Sequence, residues 1–143
     1  MKLAVRRVKI LLLFVLLLNA PSCDQVQESE VPSVPFALNI NLIIDNDLTI
    51  PGNSKFYPYA GYGGVIVYCE SFETYYAYDA TCTHEVNTTC KVENKGVLGE
   101  CKCCKSKFIL LGGGYPAEGL AEAPLRQYQV ARINSSLLRV YNE

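Results

Sequence analysis

Four side chains able to bind a soft metal ion fall in two short stretches. Cys82-Thr83-His84 sets a thiol and an imidazole one residue apart, so an extended loop can aim both the same way. Further on, Cys101-Lys102-Cys103-Cys104 supplies a Cys-x-x-Cys pair, the spacing at which a tight loop grips one metal centre. The chain has 1 histidine among its 143 residues, and that histidine lies inside this set. Three thiols and an imidazole suit a closed tetrahedral zinc site or an iron–sulfur cluster. They suit a cysteine–histidine nucleophile poorly, because neighbouring loop residues rarely face one another as such a pair requires.

Loops of this kind need strands to hold them, and the surrounding sequence is rich in strand signals. Leu38-Asn39-Ile40-Asn41-Leu42 alternates apolar and polar residues with the period of a half-buried strand. Val65-Ile66-Val67-Tyr68 and Tyr75-Tyr76-Ala77-Tyr78 read as short strands of β-branched and aromatic residues. Lys107–Leu111 leads into the turn Gly112-Gly113-Gly114. Tyr128–Ile133 and Leu137–Tyr141 flank Asn134-Ser135-Ser136 as a final hairpin. Pro51-Gly52-Asn53 and Gly61–Gly64 mark further turns, and no stretch of 36–143 carries a helical period. The expected fold is therefore all-β, a small antiparallel barrel or sandwich. The tyrosines at 57, 59, 62, 68, 75, 76 and 78 are assigned to strand packing rather than to a stacking surface for sugars or bases.

The first 22 residues read as an export signal. Lys2, Arg6, Arg7 and Lys9 form a basic start, the apolar run Ile10–Leu18 follows, and Ala20-Pro21-Ser22 precedes Cys23. The run is about half as long as a membrane-spanning helix requires. Cys23 stands where a bacterial lipoprotein cysteine is cleaved and acylated, so the expected product is an exported lipoprotein. It would be held on a membrane through Cys23, facing the periplasm or the outer-membrane surface. Residues 23–35, polar with two prolines, read as a lipidated N-terminus and tether, and 36–143 as one domain. Removing the four basic residues of 1–22 leaves nine against 14 acidic ones, a formal charge of −5 instead of −1. Such a balance argues against nucleic acid as a partner.

The same residues resemble the Rieske [2Fe–2S] domain family. Tyr75–His84 is similar to its first strand and ligand loop, and Cys101-Lys102-Cys103-Cys104-Lys105-Ser106-Lys107-Phe108 resembles its second ligand loop. Gly119-Leu120-Ala121-Glu122-Ala123-Pro124-Leu125 resembles the segment that shields the cluster. The resemblance spans roughly 38–141 and departs from the family pattern at several places. Cys104 stands at the second ligand histidine, Lys105 at a glycine, Leu120 at a proline, and Phe108 where high-potential members carry tyrosine.

By resemblance, Cys82 and Cys101 bind one iron and His84 with Cys104 the other, while the Ser106 hydroxyl supports a cluster sulfur. The family's loop-bridging disulfide joins the position of Cys103 to one that Asn87 occupies here. Cys90 is the nearest substitute, so the resemblance leaves a Cys90–Cys103 bridge open without fixing it, with Cys69 then a buried thiol. The resemblance implies a one-electron carrier with a redox partner protein. Its potential should fall at the low end of the Rieske range or below, because a thiolate replaces a neutral imidazole. Zinc on the same four residues, and a metal-free scaffold with paired cysteines, are the alternatives. An enzyme with its own substrate pocket is not expected, since no second histidine or carboxylate motif offers a mononuclear iron site.

The export route bears on loading. Arg6-Arg7 is a twin arginine, the mark of folded export, yet Lys9 stands where that motif expects an apolar residue.

Overall fold

The computed structural model describes residues 29–143. Ten strands run in chain order: β1 (Phe36–Asn41), β2 (Ser54–Tyr57), β3 (Val65–Cys69), β4 (Tyr75–Asp79), β5 (Val92–Lys95), β6 (Leu98–Cys101), β7 (Lys107–Ile109), β8 (Tyr115–Glu118), β9 (Gln127–Asn134) and β10 (Leu137–Asn142). A 3-10 turn at Asn46–Thr49 buries Leu48. Two antiparallel sheets result, six-stranded in the order β1-β10-β9-β4-β3-β2 and four-stranded in the order β5-β6-β7-β8. The expected all-β antiparallel architecture is thus present.

Burial explains which strands alternate and which do not. Every residue of β3 is buried, because the strand lies between two cores. Val65, Val67 and Cys69 point into one core with Ile40, Leu48, Ala77, Leu138 and Val140. Ile66 and Tyr68 point the other way, to Tyr78, Val92, Phe108, Leu110 and Leu125. A strand covered on both faces needs no polar positions, whereas β1 keeps its alternation because one face meets solvent. Tyr68, Tyr75 and Tyr78 are buried in these cores, while Tyr59 is 99% exposed.

The four-stranded sheet is more polar. Val92 and Phe108 are buried, while Glu93, Lys95 and Ile109 of the same strands face solvent. The β5–β6 connection is a two-residue turn at Gly96 and Val97, with Gly96 at φ 68°, the left-handed conformation a tight hairpin demands.

The segment before β1 is also fixed to the domain. Val31 is fully buried, and the Arg126 guanidinium donates to the carbonyls of Val31 and Ser29. Asn142 Nδ2 donates to Ser33 Oγ at 2.8 Å and to the Val34 carbonyl at 2.9 Å. Docked chain therefore begins before Phe36, inside the stretch assigned to the tether. The export signal, Cys23 and the rest of that tether lie outside the described residues. Among the described residues no helix is long and apolar enough to cross a membrane.

Candidate metal centre

Three loops meet at one end of the molecule. The first leaves β4 at Asp79 and carries Cys82, Thr83 and His84. The second joins β6 to β7 and carries Cys101 through Ser106. The third, Gly119–Arg126, joins β8 to β9.

The first loop starts from a buried carboxylate. Asp79 is fully buried and accepts hydrogen bonds from Tyr62 N at 2.6 Å, Gly63 N at 3.0 Å, Thr81 N at 2.8 Å and Tyr128 Oη at 2.7 Å. Four donors compensate the desolvation of the charge and fix the backbone three residues ahead of Cys82. Burial first, and Asp79 second, raise the proton affinity of the Tyr128 phenol, so it stays a donor. Gly61 and Gly63 have no room for a side chain: an added Cβ would lie 2.7 Å from Asp79 Oδ2 at the first and 2.1 Å from Thr81 Oγ1 at the second.

The second loop curls tightly, with Cys101 N donating to the Ser106 carbonyl at 2.9 Å and Lys105 N to the Cys101 carbonyl at 3.1 Å. Closing it puts Lys105 at φ 62°, the one non-glycine residue with positive φ among those described. A side chain there costs about 1–2 kcal/mol, which is the physical content of a lysine standing at a glycine position. Lys102 N donates to the Lys91 carbonyl at 3.0 Å, and a Cys90–Cys103 disulfide with Cα atoms 5.5 Å apart joins this loop to the first.

The Ser106 hydroxyl ties in the third loop. Its oxygen accepts from Leu120 N at 2.9 Å and Ala121 N at 3.0 Å, and Cys104 Sγ lies 3.1 Å away. With both lone pairs of Oγ engaged by amides, the hydroxyl proton is aimed at the Cys104 sulfur. Gly119 makes this approach possible, at φ 102° with room for no Cβ, which would sit 2.5 Å from Ser106 Cα. Thr83 Oγ1 donates to the Ala123 carbonyl at 2.7 Å, linking the first and third loops directly.

The outcome is a compact group of sulfurs. Sγ atoms of Cys82, Cys101 and Cys104 all lie within 4.8 Å of one another, Cys82 and Cys101 fully buried and Cys104 half-buried. Cys82 and Cys104 are 3.5 Å apart. Burial pushes the Cys82 thiol up to about 12, against the pull of the Glu85 and His84 backbone amides. At Cys104 burial pushes the same way but is outweighed by hydrogen bonds from Ser106 and the neighbouring thiols, so its thiol lies below the usual value. His84 does not join the sulfur group. It is exposed at the rim and lines a cavity of about 320 Å³ with Glu30, Thr83, Leu120, Glu122 and Ala123. Glu85, Cys90 and Cys103 also cluster, but the disulfide already uses both sulfurs. Cys69 is buried in β3, away from the group, where burial raises its thiol.

The donor set fits a metal centre. Buried thiols on two tied loops, one of them already polarised toward thiolate, are what a soft cation requires, and binding it would release the protons that Cys82 holds.

Asp79 and Gly119 were not singled out by sequence reasoning. A lone acid at the end of Tyr75–Asp79 reads as a strand terminus, and only its place three residues before Cys82 marks it.

No protein-family model matches the chain, and no curated protein matches it. Among solved structures, the chain is similar to one in the complex of reduced oxygenase and oxidized ferredoxin in carbazole 1,9a-dioxygenase. The identity is 23%, covering 75% of this chain and 94% of that one, with a TM-score of 0.52. It is also similar to the ferredoxin of carbazole 1,9a-dioxygenase from Nocardioides aromaticivorans IC177, at 20% identity, 78% and 100% coverage and a TM-score of 0.50. These likenesses establish a Rieske-like fold.

Proposed function

We propose that this protein is an exported, lipid-anchored one-electron carrier whose centre is a [2Fe–2S] cluster held by Cys82, Cys101, Cys104 and His84. The observation that carries the reading is the convergence of three sulfurs from two loops at the tip of a Rieske-like fold. Support for an electron-transfer role comes from the ferredoxins among its structural neighbours, one of which is seen with an oxygenase. The anchor rests on the sequence of residues 1–23 alone.

When bound, such a cluster supplies a one-electron change of oxidation state. The chain's own residues set the conditions for it. Cys82 and Cys101 exclude water from one side, and Ser106 offers a hydroxyl proton to the Cys104 sulfur. The Cys90–Cys103 bridge and the Thr83–Ala123 bond keep the three loops in place when the charge changes. His84 and Leu120 form the exposed rim through which a redox partner would approach.

Protein from its native host, examined by metal analysis with optical and EPR spectra, tests the reading. About two irons per chain, a rhombic signal on reduction and a potential near or below about −150 mV are expected. One zinc per chain without colour would overturn it in favour of a structural Cys₃His site. That second reading draws on the closeness of the sulfurs: tetrahedral zinc at about 2.3 Å places its ligands about 3.8 Å apart.

A further inference from the structure

The strand order fixes where the anchored chain meets the domain. β4 ends at Asp79, on the way to Cys82; β9 begins at Gln127, paired with Tyr78; β1 begins at Phe36, opposite Asn142 near the end of β10. All three mark one end of the six-stranded sheet, the end that carries the candidate centre. The turns at Pro51–Asn53 and Glu70–Thr74 lie at the other.

The chain reaches Phe36 along that same end. Val31 is buried there, Arg126 holds the carbonyls of Ser29 and Val31, and Glu30 shares a cavity with Thr83, His84 and Leu120. A point of departure beside His84 is thus built into the fold by a buried side chain and a guanidinium.

We propose that the Ser29–Val31 seam is an orientation device: it makes the rim of the candidate centre the pivot of the lipid anchor, so that the centre works against the membrane surface and its electron partner is one met there. This rests on the reading of Cys23 as lipidated. From Cys23 to Ser29 the chain spans six residues, at most about 20 Å when fully extended. β9, with 8 residues, adds about 26 Å between this end and the far turns. Whatever the tilt of the domain, the rim stays within about 20 Å of the lipid, while the far turns swing to roughly twice that. Exposed apolar side chains stand at both ends, Leu120 on this rim and Ile43, Ile44, Ile50 and Phe72 at the other, so the short tether and not apolarity is what favours the rim.

Photo-crosslinking tests this on the full lipidated protein in phospholipid vesicles that carry a photoreactive headgroup, with adducts mapped by mass spectrometry. Adducts at residues 83–85 and 119–122 should exceed those at 51–53 and 70–74 by at least about two-fold, the ratio of their reach. An insertion of about twenty Gly/Ser residues after residue 28 should erase that preference without touching the domain. Equal labelling of both ends in the unaltered protein would overturn the proposal, as would a preference that survives the insertion. An intact mass without lipid would instead overturn the anchor itself, and the proposal with it.

Discussion

The two sheets solve different problems with the same backbone. The six-stranded sheet is stabilised by area: Ile40, Leu48, Val67, Leu138 and Val140 are all but fully buried in one apolar core. The four-stranded sheet spends much of its sequence on glycine, lysine and glutamate, and the loops around it are held by particular bonds. Those are the Cys90–Cys103 bridge, the Ser106 hydroxyl and the Thr83–Ala123 contact. The contrast teaches that packing makes the platform while discrete polar and covalent links set the donor geometry. Damage to the first should cost stability. Damage to the second should cost the centre.

The largest effect is expected at the residue that ties the six-stranded sheet to the loop carrying Cys82. Asp79→Ala leaves four donors without their acceptor and should destabilise the domain by about 4 kcal/mol or more in denaturant unfolding. A loss below about 1 kcal/mol would show that the platform and the first loop do not depend on this carboxylate.

Next, Leu138→Ala in the apolar core should cost about 3 kcal/mol. The folded fraction should keep the metal content of the parent, as measured by metal analysis. Replacing both Cys90 and Cys103 by serine should cost about 3 kcal/mol, given the separation of 13 residues that the bridge closes. Here the loss should be local: hydrogen exchange should speed up across 82–105 and stay unchanged in β1, β9 and β10. Uniform acceleration would erase the distinction between the regions.

Gly119→Ala should cost about 2–3 kcal/mol, because φ and space both exclude a Cβ, and it should displace the Leu120 and Ala121 amides from Ser106. If the proposed cluster is bound, its potential, read by redox titration, should shift while β1 and β10 remain as protected as before.

The smallest effect belongs to the platform's surface. The Asp45 carboxyl is pushed up by burial but held below its usual range by hydrogen bonds from Lys55 Nζ and Tyr57 Oη. With a folded pKa below the ordinary 3.8, its contribution is complete well above that pH and is lost as acid takes the pH down through the folded value. Asp45→Asn should cost under about 1 kcal/mol at pH 7 and flatten the acid limb of the stability curve.

The same division decided what the sequence revealed. Strands Leu38–Leu42, Val65–Tyr68, Tyr75–Tyr78, Tyr128–Ile133 and Leu137–Tyr141 belong to the six-stranded sheet, where burial imposes a pattern of apolar residues. β2 of that sheet, half-buried throughout, carries no such pattern, and Lys107–Leu111 is the one apolar run legible in the other sheet. In β5, Val92-Glu93-Asn94-Lys95 offers one apolar residue. β6 inverts the usual signal, with Leu98 exposed and Gly99 buried, because Val92 Cγ1 fills the space a side chain at 99 would need. β8 contains Pro116, and none of these three strands rises above its loops. At the centre, cysteine chemistry is rare enough for spacing to reveal it. The hydrogen-bond acceptors that hold it, Asp79 foremost, are common residues whose role appears only once distant segments meet.

Asp79 has a kinetic consequence as well. Its donors come from residues 62–63, from 81 and from 128, so the carboxylate finds its full set of partners only when the glycine loop, β4 and β9 have all come together. Contacts that complete last contribute little to the folding barrier. Weakening them should leave the rate of folding nearly untouched and appear as faster unfolding, making the joint between platform and cysteine loops the latch that sets the native lifetime.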